Sequence, residues 1–128
     1  MDFTGVCMIA SHLKDSVNTL LDQLAAGAAD FEDVIALINE HFEYTPSRFR
    51  NGAQDNPAGT NEGSCRLFAF ARQMGLDEAQ TLRCFGRHYQ AVQAHPDGTD
   101  HANIREFMRQ GWSGVHFEQA PLRLRDAH

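Results

Sequence analysis

The chain predicts an α+β domain, about five helices packed with a small antiparallel sheet. Apolar residues recur at helical spacing in five segments separated by turn residues. Around 42–51 and 112–125 they instead alternate with polar residues, the period of a half-buried strand. Length agrees with both. A chain of 128 residues buries roughly two-thirds of its unfolded surface, enough for one core without disulfide or metal.

Residues 1–14 read as an N-terminal arm, with Phe3, Val6, Met8, Ile9 and Leu13 available to pack as a short strand, and residues 15–128 as a single domain. From Asp15 onward Val17, Leu20, Leu21 and Leu24 mark a first helix that Gly27 stops. Asp30, with Asp33 three residues on, caps a second helix whose face is Phe31, Val34, Ile35, Ile38 and Phe42. The short link makes the two an antiparallel hairpin. In HFEYTPSRFRNG, Phe42 and Tyr44 alternate with His41 and Glu43 and Pro46 interrupts, which gives short extended segments at a sheet edge.

A third helix, from about Ser64 to Gly75, is apolar in almost every direction, with Arg66 and Gln73 marking a narrow polar strip. Such a helix is buried, so this one is expected at the centre. Asp77 and Gln80 open a long fourth helix that reaches about His95, with Leu82, Phe85, Tyr89 and Val92 inward. After the Pro96-Asp97-Gly98 turn, Thr99 or Asp100 caps a fifth helix with Ile104, Phe107 and Met108 on its face, and Gly111 closes it. The tail predicts one strand at 112–118 and a weaker one at 121–125.

Net charge is −6, and ten Arg with one Lys are spread along the chain without a basic stripe, which argues against nucleic acid as a partner. Cys7, Cys65 and Cys84 lie far apart with no CxxC, the pattern of free thiols in a reducing compartment. The start, MDFTGVCMIASHLK, has neither a basic n-region nor an apolar run of signal-peptide or membrane length. A cytoplasmic domain without membrane contact is therefore expected, and no motif asks for a cofactor.

Function is expected where the Asn/Gly-rich stretch NGAQDNPAGTNEG runs into the third helix. Asn51, Asn56, Asn61 and Ser64 above a helix N-terminus suit a small polar ligand, held by side-chain amides and backbone N–H groups, or a protein partner. Asp100 and Trp112 are expected to contribute from the far wall, with His101 or His116. There is no Lys in the loop and no GxxxxGK[ST], so a nucleotide phosphate is not indicated.

An alternative makes the protein a cysteine-dependent acyl-transfer or hydrolytic enzyme. Cys65 would be the nucleophile, its thiolate favoured by the helix N-terminus, and His101 or His116 the base. GSCRLFAFA resembles the nucleophile segment of papain-type proteases over about eight residues, but Gly59 stands where their oxyanion glutamine would be and Arg66 where an aromatic follows. Cys84, His88 and His95 share a helical face, yet a zinc site needs three or four ligands, so no metal site is assigned.

With these segments placed, FEYTPSRFRNG, NPAGTNEGSCRLFAFA, the GL-to-CFG connection and HPDGTDHANIREFMRQGWSGVHFE together resemble the HopJ type III effector family, over roughly residues 15–118. The resemblance implies a shared fold and bacterial origin. Secretion through a type III system is implied by the resemblance alone, and no catalytic set comes with it.

Overall fold

The structure is a computed structural model that describes the backbone of residues 3–125 and side chains from His12 onward. Its helices are α1 (Phe3–Ala25), α2 (Phe31–His41), α3 (Glu62–Gln73), α4 (Glu78–Arg83), α5 (Arg87–Ala94) and α6 (Ala102–Gln110), the last followed by a 3₁₀ turn at Gly111–Gly114. Its strands are β1 (Phe42–Tyr44), β2 (Phe49–Asn51), β3 (Gln54–Asn56), β4 (Val115–Phe117) and β5 (Leu122–Leu124). They form two antiparallel sheets, β1-β5 and β3-β2-β4. The α+β class is as expected.

The two sheets share one ribbon. Phe42 faces Leu124 and Tyr44 faces Leu122; Phe49 faces Phe117 and Asn51 faces Val115, all in the same register. Backbone bonds carry that register through the connections, from Arg125 N to His41 O (2.8 Å), Thr45 N to Pro121 O (2.8 Å), Glu118 N to Arg48 O (2.9 Å) and Gly52 N to Gly114 O (2.9 Å). The ladder lapses beside Pro46, which has no N–H to give. There the buried Ser47 hydroxyl accepts from Gln119 N at 3.0 Å and donates to Arg48 O.

α3 lies at the centre. Leu67, Phe68, Phe70 and Ala71 are at most 1% exposed. The Phe68 ring meets Phe49 on β2, Phe85 after α4, Phe107 on α6 and Trp112, with centroids 5.0–6.3 Å apart. Aromatic side chains bury the most area per residue, so rings from four sources on one phenylalanine make this the hub of the core.

Four expectations are corrected. First, α1 starts at Phe3 rather than Asp15, because Leu13 continues the buried Val17, Leu20, Leu24 stripe at helical spacing and no proline interrupts. The packing proposed for Phe3, Val6, Met8 and Ile9 lies outside the described side chains. Second, the long fourth helix is two, broken at Gly86, whose φ is +57°. A Cβ there would sit 2.1 Å from Asp30 Oδ1, so the break is made by a neighbour from α2.

Third, residues 111–114 form a 3₁₀ turn and only 115–117 a strand. Gly111 leaves room for the Glu78 carboxylate, which accepts from Trp112 N at 2.9 Å. Fourth, the loop after Asn51 is partly strand: β2 and β3 form a two-residue hairpin turned at Gly52, φ +57°, where Gly is favoured.

Candidate functional site

The hairpin β2–β3 is stitched to the start of α6 by side chains. Asn51 Nδ2 donates to Asn103 O at 2.8 Å and to Asn103 Oδ1 at 3.2 Å. Asn56 and Asn103 exchange amide bonds at 3.1 and 3.0 Å, and Asn61 Nδ2 donates to Asn56 Oδ1 at 2.7 Å. Asn51, Asn56 and Asn103 are buried, where an unpaired amide is costly, so the network fixes the loop against α6. One turn along, the Glu106 carboxylate accepts from Ala53 N, Arg109 and Gln110. The Ala53 N–H, foremost, holds that carboxyl below the usual carboxylate range.

This brings two helix N-termini together. Asn61 caps α3 and His101 caps α6, both in the left-handed region (φ 48° and 51°), and neither side chain makes a capping bond. They are the two non-glycine residues with positive φ among the described residues. For His101 this conformation costs about 1–2 kcal/mol, and for Asn61, whose short amide side chain tolerates it, less. Both line one cavity of about 400 Å³, along with Gly63 and Ser64 from α3 and Ala102 and Asn103 from α6. Phe31, Phe85, His88, Gln54 and Ile104 complete the lining. No Asp, Glu, Lys or Arg is among these lining residues.

The second wall is a run of rings. Phe31 stacks on Phe85 (6.1 Å, 6° between planes), His88 meets Phe31 edge-on (5.2 Å, 79°), and His101 lies 5.2 Å from His88 at 46°. Phe31 and His88 are held at the mouth by Asp30, which accepts from both Phe31 N (2.7 Å) and Arg87 N (3.0 Å).

The expected site residues divide accordingly. Asn61, Ser64 and His101 line the cleft, while Asn51 and Asn56 lie behind it as supports of Asn103 and Asn61. The other placements are corrections. Asp100 turns away to Arg105 Nη2 at 2.7 Å, and that guanidinium keeps its carboxyl low. Trp112 packs on Phe107 and Phe68, donates from Nε1 to Leu76 O at 3.1 Å and carries the Arg72 guanidinium above its ring. His116 faces the outside of the sheet, across from Arg50 and near Asp55. Trp112 is anchored by the core, His116 belongs to the ribbon and Asp100 is held by Arg105.

Cys65 is corrected too. The residue is 1% exposed and its sulfur donates to Ser47 O at 3.8 Å, on the core side of α3 next to Tyr44. Burial pushes the thiol up, which outweighs the lowering by Tyr44, the Ser47 backbone and Arg66. His101 lies in the cleft beside His88 and His116 on the outside of the sheet, so among the described residues neither pairs with Cys65. Cys84 is likewise buried, its thiol pushed up to about 12 by desolvation alone. Among the described residues no three of His, Cys, Asp and Glu converge as metal ligands.

Asn103 and Glu106 were missed. The signal was a stripe of Asn103, Glu106 and Gln110 at i, i+3 and i+7, polar residues at the spacing of a buried face.

A family model described as HopJ type III effector protein matches residues 17–122. Among solved structures, the crystal structure of the unknown-function protein VPA0580 is similar, with 42% sequence identity and a TM-score of 0.79, over 84% of this chain and 92% of that one. A comparison with curated proteins gave no match. Among the described residues no helix is long and apolar enough to cross a membrane. On the span of that match, the chain belongs to the HopJ type III effector protein family.

Proposed function

We propose that the protein is a small-ligand binding protein whose site is the cleft between the N-termini of α3 and α6. One observation carries this: both strained non-glycine residues, Asn61 and His101, start helices without side-chain caps and line the same cavity. Strain of this kind persists only where the surroundings over-determine it, and it collects at ligand sites. Uncapped first-turn N–H groups favour an oxygen of the ligand, whether carbonyl or anionic. The effector role in the family name, and a bacterial cytoplasmic setting, are part of this reading on the strength of that name. In such a role the protein acts by capture rather than by covalent chemistry.

The test is an amide ¹H–¹⁵N titration with a panel of small polar compounds. Binding should move the signals of Gly63, Ser64, Ala102 and Asn103 first. A compound that binds while leaving those four unmoved and shifting residues of another face overturns the assignment.

A further inference from the structure

We infer that the ligand class of this cleft is a planar heteroaromatic ring with a hydrogen-bonding edge, of the nucleobase type, uncharged and without phosphate. The inference rests on the cleft being the binding site and adds what it selects. One side is a belt of four rings, Phe85, Phe31, His88 and His101, in sequence at 6.1, 5.2 and 5.2 Å. Neighbouring rings touch, so Phe31, His88 and His101 line the cleft as one continuous aromatic surface, against which a planar ring can lie. The other side presents the Gln54 amide, the Asn61 side-chain oxygen and the Ser64 hydroxyl, while the Asn103 amide is turned back into the Asn network. Amides offer donor and acceptor side by side, the complement of a heterocycle edge.

Charge narrows the class further. None of the residues lining the cleft is Asp, Glu, Lys or Arg, so a phosphate or a free ammonium finds no side-chain counter-charge there. An aliphatic ligand would not use the ring surface, and a purely aromatic one would not use the Gln54 amide or the Ser64 hydroxyl. A cavity of about 400 Å³ is of small-ligand size. A ring carbonyl directed at the starts of α3 and α6 would meet their N–H groups.

The experiment titrates the full chain with uracil, adenine and adenosine, and in parallel with acetate and glucose, reading amide ¹H–¹⁵N shifts. The heterocycles should move Gly63, Ser64, Ala102 and Asn103 with saturating curves. His88→Ala should weaken them about tenfold, the loss expected for one stacking ring. His88→Phe, which keeps a ring, should restore binding, and His95→Ala, on the exposed 94–100 segment, should bind like the parent. If acetate or glucose moves those signals and the heterocycles do not, the ligand class is wrong and the cleft stands. Equal heterocycle binding in the parent and His88→Ala would also overturn the class. If no probe moves them, or the heterocycles move another face, the inference and the cleft assignment fall together.

Discussion

Asp30 caps two helices at once through Arg87. Its Oδ1 accepts from Phe31 N at the start of α2 and from Arg87 N at the start of α5, while Arg87 Nη1 reaches Oδ2 at 3.1 Å and both terminal nitrogens hold Glu32. Gly86 is the residue that lets the two approach so closely. One carboxylate thus joins the aromatic wall of the cleft across 57 residues of chain.

The pH dependence follows. Arg87 N–H, then Phe31 N–H, then the Arg87 side chain lower the Asp30 carboxyl to about 2, against about 3.9 in an unfolded chain. A depressed native pKa contributes stability that is fully present above the unfolded value and is lost as pH falls through the native one. Glu32, Glu43, Asp55 and Glu106 are lowered as well, chiefly by partners Arg87, Arg123, Arg48 and the Ala53 N–H. Thermal melts should therefore fall steeply between about pH 4.5 and 2. Asp30→Asn should melt below the parent at pH 7, and the gap should close toward pH 2. A gap that is constant over that range would show that the carboxylate charge does not matter.

Phe68→Ala removes the ring on which Phe49, Phe85, Phe107 and Trp112 converge. The expected cost is about 3–5 kcal/mol, most of the stability of a small domain. Urea unfolding should show it as a fall in midpoint at unchanged slope. A change below about 1 kcal/mol would move the centre of the fold away from α3.

Cys65 should resist iodoacetamide in the native state and react when the chain is unfolded, since its sulfur is buried and its thiol raised. Rapid native labelling at neutral pH would reinstate an activated thiolate.

The Asn network predicts an order of costs. Asn103→Ala removes both bonds between the Asn103 side chain and the buried Asn56 amide and the longer bond of Asn51, whose 2.8 Å bond to the residue 103 carbonyl remains, and should cost about 2–4 kcal/mol. Asn61→Ala loses one bond at 2.7 Å from an exposed residue and a side chain that tolerates the left-handed region, so about 1–2 kcal/mol is expected. Denaturant unfolding of the two variants checks the order, and the reverse order would show that the loop is held from the α3 side.

What the chain shows to a reader of its sequence depends on how far apart the partners lie. The Asp30/Asp33 and Asp77/Gln80 capping boxes form as their spacing predicts, because each is closed within one turn. The Phe68 stripe is visible because periodicity is local. Gly86 is different: in sequence it is a glycine inside a helical pattern, and only Asp30 arriving from α2 gives it a reason to break the helix. β3 was hidden likewise, since Gln54-Asp55-Asn56 has no strand composition and pairs because Gly52 turns it back on β2. Asn61 and Ser64 of the loop and His101 line one cavity. Trp112 and His116 share one family-like block with His101, which Asp100 adjoins, but the 3₁₀ turn, the strand and Arg105 send the three other ways.

The sharpest contrast between stability and binding lies at His101. Its φ of 51° is one that glycine adopts freely, and relieving the Cβ conflict gains about 1–2 kcal/mol. Against that, glycine gives the unfolded chain about 0.5–1 kcal/mol of extra freedom. The His101–Asp100 pair is long, 3.9 Å, and a largely exposed pair of this kind contributes little. The balance favours His101→Gly by about 0.5–1 kcal/mol, a rise of roughly 2–5 °C in melting temperature. The same change deletes the last ring of the belt beside His88, so binding of any compound that occupies the cleft should weaken as the fold grows stabler. Calorimetric melts and titrations on one preparation separate the two effects. A destabilised His101→Gly would mean that the imidazole, through His88, contributes more to the fold than its backbone conformation costs, and the strain would then say nothing about a ligand.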